Sequence, residues 1–110
     1  MAVLTVVQTA PGVKATNTLV AANSGGDSFP NTGVERFRVR NGDASSKTVT
    51  IVAQKAAGCP AGTLHNLVLT VAAGEEQVLK NLDTVRFNDS NGRVNITYSA
   101  VTSVTVGVEV

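Results

Sequence analysis

The chain has 110 residues, a length that suits one domain. Hydrophobic residues make up 43% of it and charged residues only 15%, with nine Lys and Arg against eight Asp and Glu. This balance provides no broad basic surface, so we expect neither direct nucleic-acid binding nor membrane binding. A single cysteine, Cys59, excludes an intrachain disulfide and a zinc cluster; we expect a small apolar side chain beside Pro60.

The first residues do not indicate export. The chain starts MAVLTVVQTA, which lacks the basic segment of a secretory signal, and no apolar run approaches the length of a membrane span. We therefore expect a protein that is made in a cytoplasm and stays soluble there or assembles into a larger structure. The low charge density fits a surface partly covered by a partner and fits a weakly charged monomer equally well.

Turn-forming residues dominate the first third of the chain. Pro11, Pro30 and the run NSGGD at residues 23–27 predict an irregular segment from residue 9 to residue 33, interrupted by a short strand near residues 19–22. We therefore expect residues 1–33 to form, in part, an extended arm or irregular loop. No composition shift divides the chain, so residues 1–110 are predicted to make one domain.

Strict alternation begins after Gly33 and predicts a strand over residues 35–40. Phe37 and Val39 point to one side of that strand. The residues that point to the other side are basic: Arg36, Arg38 and Arg40.

The same period of two continues through the middle of the chain. Turns are predicted at residues 41–43 and 72–74, and a loop at residues 55–63. The inward-facing residues of the two strands between these turns are apolar: Val49, Ile51, Ala53, Leu67, Leu69 and Val71. A further strand is predicted at residues 76–82.

The C-terminal third contains a strong hairpin signal. Asn91 and Gly92 are the favoured pair for a two-residue type I′ turn, because both positions require positive φ. This turn predicts a hairpin of residues 84–90 and 93–99. Its register would place these residues opposite one another: Phe87 and Ile96, Val85 and Tyr98, Arg86 and Thr97.

A last strand alternates four valines with other residues: Val104, Val106, Val108 and Val110. The chain thus contains seven or eight short alternating segments and no segment with convincing helical periodicity. We predict an all-β domain, an antiparallel β-sandwich or a jelly-roll-like barrel of about eight strands.

Groups that carry catalysis are few and scattered. His65 is the only histidine and is expected at a loop or strand end. Glu75 and Glu76 are adjacent in a predicted turn, so they face opposite sides and make a poor acid–base pair. The run NDSNG at residues 88–92 lacks the alternating acidic ligands of a calcium loop. We therefore predict no enzymatic activity, no cofactor and no metal site.

The three arginines of residues 35–40 are the most informative polar feature. Guanidinium groups on one strand face repel one another unless something compensates them. Either Asp and Glu side chains on neighbouring strands pair with them in a solvated face, or the face docks on an acidic partner, since guanidinium forks suit carboxylates. The sequence leaves both interpretations open for Arg36, Arg38 and Arg40.

Few aromatic residues are available for binding. The chain has no Trp, one Tyr and three Phe. Alternation places Phe37, Phe87 and Tyr98 on apolar faces, which disfavours the exposed aromatic platform of a glycan-binding module. Phe29 is the remaining aromatic residue. We expect it to anchor the irregular segment on the domain, and it is a candidate partner contact.

Several motifs resemble those of a family of small head proteins from tailed bacteriophages. The matching runs are ANSGGDSFPNTG at residues 22–33, VRNGDAS at 39–45 leading into TVTI at 48–51, VAAG at 71–74, FND at 87–89 and VNITYSAVT at 94–102. Their order along the chain is not a general feature of β-sandwiches. Residues 1–21 match least.

The resemblance implies a virion structural protein, a decoration or cement protein on the outer surface of the head. It implies binding to the major capsid protein and assembly with copies of itself, with a trimer favoured. The family has no catalytic residues to transfer. Another position in the virion, in the tail or a fibre, is the alternative, and a glycan-binding module is a weaker one.

Overall fold

Two β-sheets packed face to face hold nearly all of the regular structure. The computed structural model describes residues 2–7, 19–55 and 65–109. Its elements are ten strands and one helical turn: β1 Ala2–Val3, β2 Val6–Val7, β3 Val20–Ala21, β4 Asp27–Pro30, β5 Arg36–Asn41, β6 Lys47–Ile51, β7 Leu67–Val71, β8 Glu76–Lys80, α1 Thr84–Phe87, β9 Arg93–Tyr98 and β10 Val104–Glu109. The predictions for Cys59, Val110 and most of the loop at 55–63 lie outside the described residues.

The strand order defines a β-sandwich. Sheet I has the order β1-β4-β9-β6-β7, and sheet II has the order β2-β10-β5-β8, with β3 also paired to β10. All pairings are antiparallel except β1 with β4 and β2 with β10. This confirms the predicted all-β class and, of the two predicted architectures, the sandwich.

The predicted alternation is realised in the strands of the middle and the end of the chain. In β5, Phe37 and Val39 are fully buried, while the arginines that alternate with them lie on the outer side. In β6, Val49 and Ile51 face the core, and in β10 the inward valines are buried. Alternation predicted these strands because each has one face on the core and one towards solvent.

The core is centred on a pair of stacked rings that joins the two sheets. Phe29 of β4 and Phe37 of β5 lie with ring centroids 5.9 Å apart and planes only 3° from parallel, and both are 0% exposed. Phe29 belongs to the segment that was predicted to be irregular, so that prediction is wrong for residues 27–30. The error has a physical reason: Asp27 and Ser28 are polar residues that the fold buries, and they interrupt the apolar pattern.

Residues 2–7 close one side of the sandwich. β1 adds to sheet I beside β4 and β2 adds to sheet II beside β10, so the segment passes from one sheet to the other. Leu4, between the two short strands, is buried, and its N–H donates to the carbonyl of Ser28 at 2.7 Å. These residues are therefore not an extended arm; residues 8–18 lie outside the described part. The short strand expected near residues 19–22 is confirmed as β3.

The predicted C-terminal hairpin is wrong in its first half. Residues 84–87 form the helical turn α1, whose N-cap Asp83 accepts hydrogen bonds from the backbone N–H groups of Val85 and Arg86. Within residues 84–90, Asn88 forms an isolated bridge to Val94, and the strand β9 pairs with β4 and β6 instead. A single helical turn is too short to show a helical period in sequence.

The turn between α1 and β9 also differs from its prediction. Gly92 has a φ of 72°, but Asn91 does not have a positive φ, so the turn is not type I′. The N–H of Gly92 donates to the carbonyl of Asp89 at 3.0 Å, and the N–H of Asp89 donates to the carbonyl of Arg93 at 2.8 Å. The reversal therefore takes three residues, with glycine at the one position that needs it.

Asn41, at the end of β5, is a fully buried polar residue that ties three segments together. Its side-chain amide donates to the carbonyls of Ser45 at 2.8 Å and Val71 at 3.1 Å, and its side-chain carbonyl accepts from the N–H of Asp43 at 3.0 Å. Its backbone is hydrogen-bonded to the turn at residues 72–75. The amide thus holds the end of β5 against both neighbouring turns.

We predict that Asn41→Ala lowers the free energy of unfolding by about 2–4 kcal/mol, because the buried carbonyl of Val71 and the partly buried backbone groups of Asp43 and Ser45 lose this partner. Asn91→Ala, at an exposed turn position, is the control and is expected to change it by less than about 0.5 kcal/mol. Urea unfolding followed by circular dichroism measures both. An Asn41→Ala protein as stable as the control would contradict this role.

Candidate docking face

The outer face of sheet II carries the three arginines that the sequence singled out. Strand register sets Arg36, Arg38 and Arg40 between β8 and β10. We call the outward-facing residues of these three strands the arginine face: Arg36, Arg38, Arg40, Glu76, Val78, Lys80, Thr105, Gly107 and Glu109. Four of its charged side chains are basic and two are acidic.

Arg38, in the middle of the face, is compensated within the chain. Its Nε donates to Glu109 Oε1 at 3.1 Å, its Nη2 also pairs with that oxygen, and its Nη1 lies 3.4 Å from Glu76 Oε1. The hydrogen bond to Glu109 raises the pKa of the Arg38 guanidinium above its ordinary value. Gly107 lies directly opposite Arg38 and has no side chain to obstruct the path to Glu109. For Arg38, the first of the two interpretations is confirmed, because Glu side chains on both neighbouring strands pair with it.

Arg36 and Arg40 differ from Arg38. Both are exposed, and neither forms an ion pair with any part of the chain that the structure describes. Lys80 is the residue directly opposite Arg36 on β8, so two like charges face each other there. Glu109 lies directly opposite Arg36 on β10, and Glu76 lies directly opposite Arg40 on β8, but both carboxylates are engaged by Arg38. The face as a whole therefore keeps more basic than acidic side chains, and Arg36 and Arg40 remain accessible to an acidic partner.

The outer face of sheet I is very different. Its outward residues on β6, β7 and β9 are mostly uncharged: Thr48, Thr50, Val68, Thr70, Arg93, Asn95 and Thr97. Arg93, at the start of β9, is the one charged residue among them. Positive charge is therefore concentrated on one side of the sandwich.

Phe29 must be removed from the candidate partner contacts. It is 0% exposed and stacks on Phe37 inside the sandwich, so it offers no surface to another molecule. Phe29 does anchor its segment to the domain, but as a core residue of strand β4 in sheet I and not as part of an irregular loop. Of the four residues selected from the sequence, the structure brings the three arginines together on one face and places Phe29 in the core.

Sequence reasoning did not identify the neighbours that shape the face. Glu76 and Lys80 come from β8, and Glu109 comes from β10, so their positions depend on the strand order. Alternation within each strand shows which side these residues occupy, but not which strands are adjacent. A search for acidic residues on other alternating strands would have listed Glu76 and Glu109 as possible partners of the arginines.

A second polar group lies inside the sandwich. Asp27 is 1% exposed, and its Oδ2 accepts from the hydroxyl of Tyr98 at 2.7 Å and from the N–H of Asn23 at 3.2 Å. Burial, followed by the hydrogen bond to Asp27, raises the pKa of Tyr98 well above its usual range. These two hydrogen bonds join β9 to the 23–27 turn, so we assign the pair a structural role.

Other carboxylates stabilise turns. The hydrogen bond from the N–H of Arg93 lowers the pKa of Asp89. Burial acts in the opposite direction, and hydrogen bonds from the Asn95 side chain and the N–H of Asn91 lower the pKa further. His65 lies exposed just before β7. Among residues 2–7, 19–55 and 65–109, no three His, Cys, Asp or Glu side chains are placed to share a metal ion, and no helix is long and apolar enough to cross a bilayer.

Comparisons with protein-family models, with curated proteins and with solved structures found no match to this chain.

We predict that Arg38→Ala lowers the free energy of unfolding by about 1–3 kcal/mol, because it leaves the nearly buried Glu109 carboxylate without its partner. Arg40→Ala removes an exposed, unpaired side chain from the same strand and should change it by less than about 0.5 kcal/mol. Denaturant titrations at low and high salt compare the two variants. Equal effects would show that the Arg38–Glu109 pair does not stabilise the fold.

Stability is also expected to fall at alkaline pH because of Tyr98. Its folded pKa lies above the ordinary value of 10.0, so the folded state keeps the proton where the unfolded chain loses it. The free energy of unfolding should therefore decrease above pH 10, by up to about 1.4 kcal/mol per pH unit. Tyr98→Phe should lose this part of the dependence, and no other tyrosine is present to obscure it. Parallel alkaline slopes for the two proteins would contradict the expectation.

Proposed function

We propose that this protein is a structural component of a phage virion, a decoration protein that binds the outer surface of the head through its arginine face and stabilises it. The observation that carries the proposal is the pair of exposed arginines, Arg36 and Arg40, that lack an ion-pair partner in the described chain. The resemblance of residues 22–33 and 94–102 to small phage head proteins gives the class of partner.

The arrangement of charges suits a broad protein partner. Alternate residues of a strand are about 6.6–6.8 Å apart, so Arg36 and Arg40 are separated by about 13 Å along β5. That spacing fits several carboxylates on a partner surface. Arg38 between them is held by Glu76 and Glu109, so the face is ordered before binding and loses little side-chain freedom there.

Electrostatic docking of this kind fits a cement role. A domain bound across neighbouring capsid subunits adds buried area that resists the pressure of packaged DNA. Exposed ion pairs are weakened by salt, so binding should weaken as ionic strength rises. The partner we propose is the major capsid protein, bound at its acidic outer surface, and the site of action is the virion.

The test uses purified heads that lack the protein. Replacing both exposed arginines, in Arg36→Thr/Arg40→Thr, should weaken binding to heads by roughly tenfold or more, because two charged contacts are lost while threonine preserves the strand. The matched control, Lys55→Thr/Arg93→Thr, removes the same charge away from the arginine face. Arg38 is not used, because its loss disturbs Glu109.

Co-sedimentation with heads, together with thermal melts of each variant, gives the readout. Equal binding by the arginine variant and its control, with normal melts for both, would exclude the arginine face as the docking surface. Failure of the unmodified protein to bind heads, with immunogold label found on tails or fibres of intact particles, would move the protein to another part of the virion.

A further inference from the structure

β8 forms the open edge of sheet II in the described part of the chain. The backbone of Asn41 faces β8, because its N–H donates to the carbonyl of Glu75 at 2.9 Å and its carbonyl accepts from the N–H of Gly74 at 2.9 Å. Backbone groups of successive strand residues point to opposite sides. Phe37 and Val39 therefore also direct their backbone groups to β8.

The residues opposite these two, Leu79 and Gln77, use their N–H and C=O groups for the ladder with β5. The backbone groups of the alternate residues then point away from the sandwich: Glu76, Val78 and Lys80. The outward-pointing N–H and C=O groups of these three alternate residues can form an antiparallel ladder with another strand.

The side chains at these three positions are self-complementary. Read in the antiparallel direction about Val78, the sequence EQVLK places Glu76 opposite Lys80 of an identical strand, and Lys80 opposite Glu76. Val78, which is 42% exposed, then faces Val78 of the second copy. Opposite charges directly across a strand pair are favourable, and like charges are unfavourable, so this register is selected over its neighbours.

We propose that two copies of the chain associate by antiparallel pairing of β8 with β8 about a two-fold axis through Val78, with two Glu76–Lys80 ion pairs between the copies. The pairing also places a carboxylate beside each Lys80, which faces the like charge of Arg36 within its own chain. It covers Val78 and continues sheet II across the dimer.

The edge strand β7 of sheet I provides a contrast. β7 ends sheet I and contains no charged residue, and its Val68 is 60% exposed, so nothing along it selects a register. On β8, by contrast, the opposite charges of Glu76 and Lys80 at the two ends of the strand favour a second copy of the chain as the occupant of the edge.

The inference goes beyond the proposed function, because it requires no capsid. A two-fold dimer would join two arginine faces into one surface on either side of the Val78 pair. It also predicts an even-numbered assembly in place of the trimer that the family resemblance implies. Self-association is measured without heads, so its failure would leave the docking experiment unaffected.

Light scattering and sedimentation of the full chain, over a range of concentrations, test the pairing. We expect a species of twice the chain mass of 11.3 kDa. Lys80→Glu places Glu opposite Glu at both ends and should raise the dissociation constant at least about tenfold. Glu76→Lys/Lys80→Glu restores opposite charges and should restore the dimer. Val68→Lys, on the β7 edge, should leave it intact.

A cross-link gives a readout that does not depend on charge. In a Cys59→Ser background, Val78→Cys should form a disulfide-linked dimer on oxidation, because residues paired across the axis lie within disulfide range, about 5.5 Å between Cα atoms. Val68→Cys is the exposed control and should form no disulfide-linked dimer. A monomer or trimer at all concentrations, a dimer insensitive to Lys80→Glu, or one abolished by Val68→Lys would overturn the proposal.

Discussion

The register of β5 is the constraint on which the fold and its surface both depend. Phe37, Val39 and Asn41 point inward and are fully buried, while Arg36, Arg38 and Arg40 point outward. A shift of one residue would drive three guanidinium groups into the core, at a cost far above the net stability of a domain of this size. The Phe29–Phe37 stack reinforces this register from the opposite sheet. The core and the arginine face are therefore two sides of one strand.

The charges around β5 are only partly balanced. Glu109 and Glu76 lie directly opposite Arg36 and Arg40 but both engage Arg38, so Arg36 and Arg40 form no ion pair in the described residues and the face keeps more basic than acidic side chains. The outer face of sheet I carries mostly threonine and other uncharged residues, with Arg93 as the one charged residue on β6, β7 and β9. This asymmetry gives the sandwich one side suited to an acidic surface. The complementary ends of β8 then allow the same side to be extended by a second copy.

Alternation in the sequence was sufficient to predict β5, β6, β7 and β10, and β8 was predicted from its place after the turn at residues 72–74. Alternation failed for a strand whose buried residues are polar, and for segments that become strands only by pairing with distant parts of the chain. Asp27 and Ser28 are buried in β4 because hydrogen bonds satisfy them, and residues 2–7 form strands only through pairing with distant β4 and β10. The cap at Asp83 produces a helical turn too short to have a period. The arginines were predictable as a group, but their carboxylate partners depend on strand order.

The central claim is that the outer face of sheet II, and not that of sheet I, meets the partner. Single cysteines at Thr105 and at Thr50 test it, since the two positions are similarly half-buried and lie on opposite outer faces. With Cys59 replaced by serine, the rate of maleimide labelling is measured for each variant, free and bound to heads. We expect strong protection at residue 105 and none at residue 50. Protection at residue 50 with free labelling at residue 105 would contradict the claim.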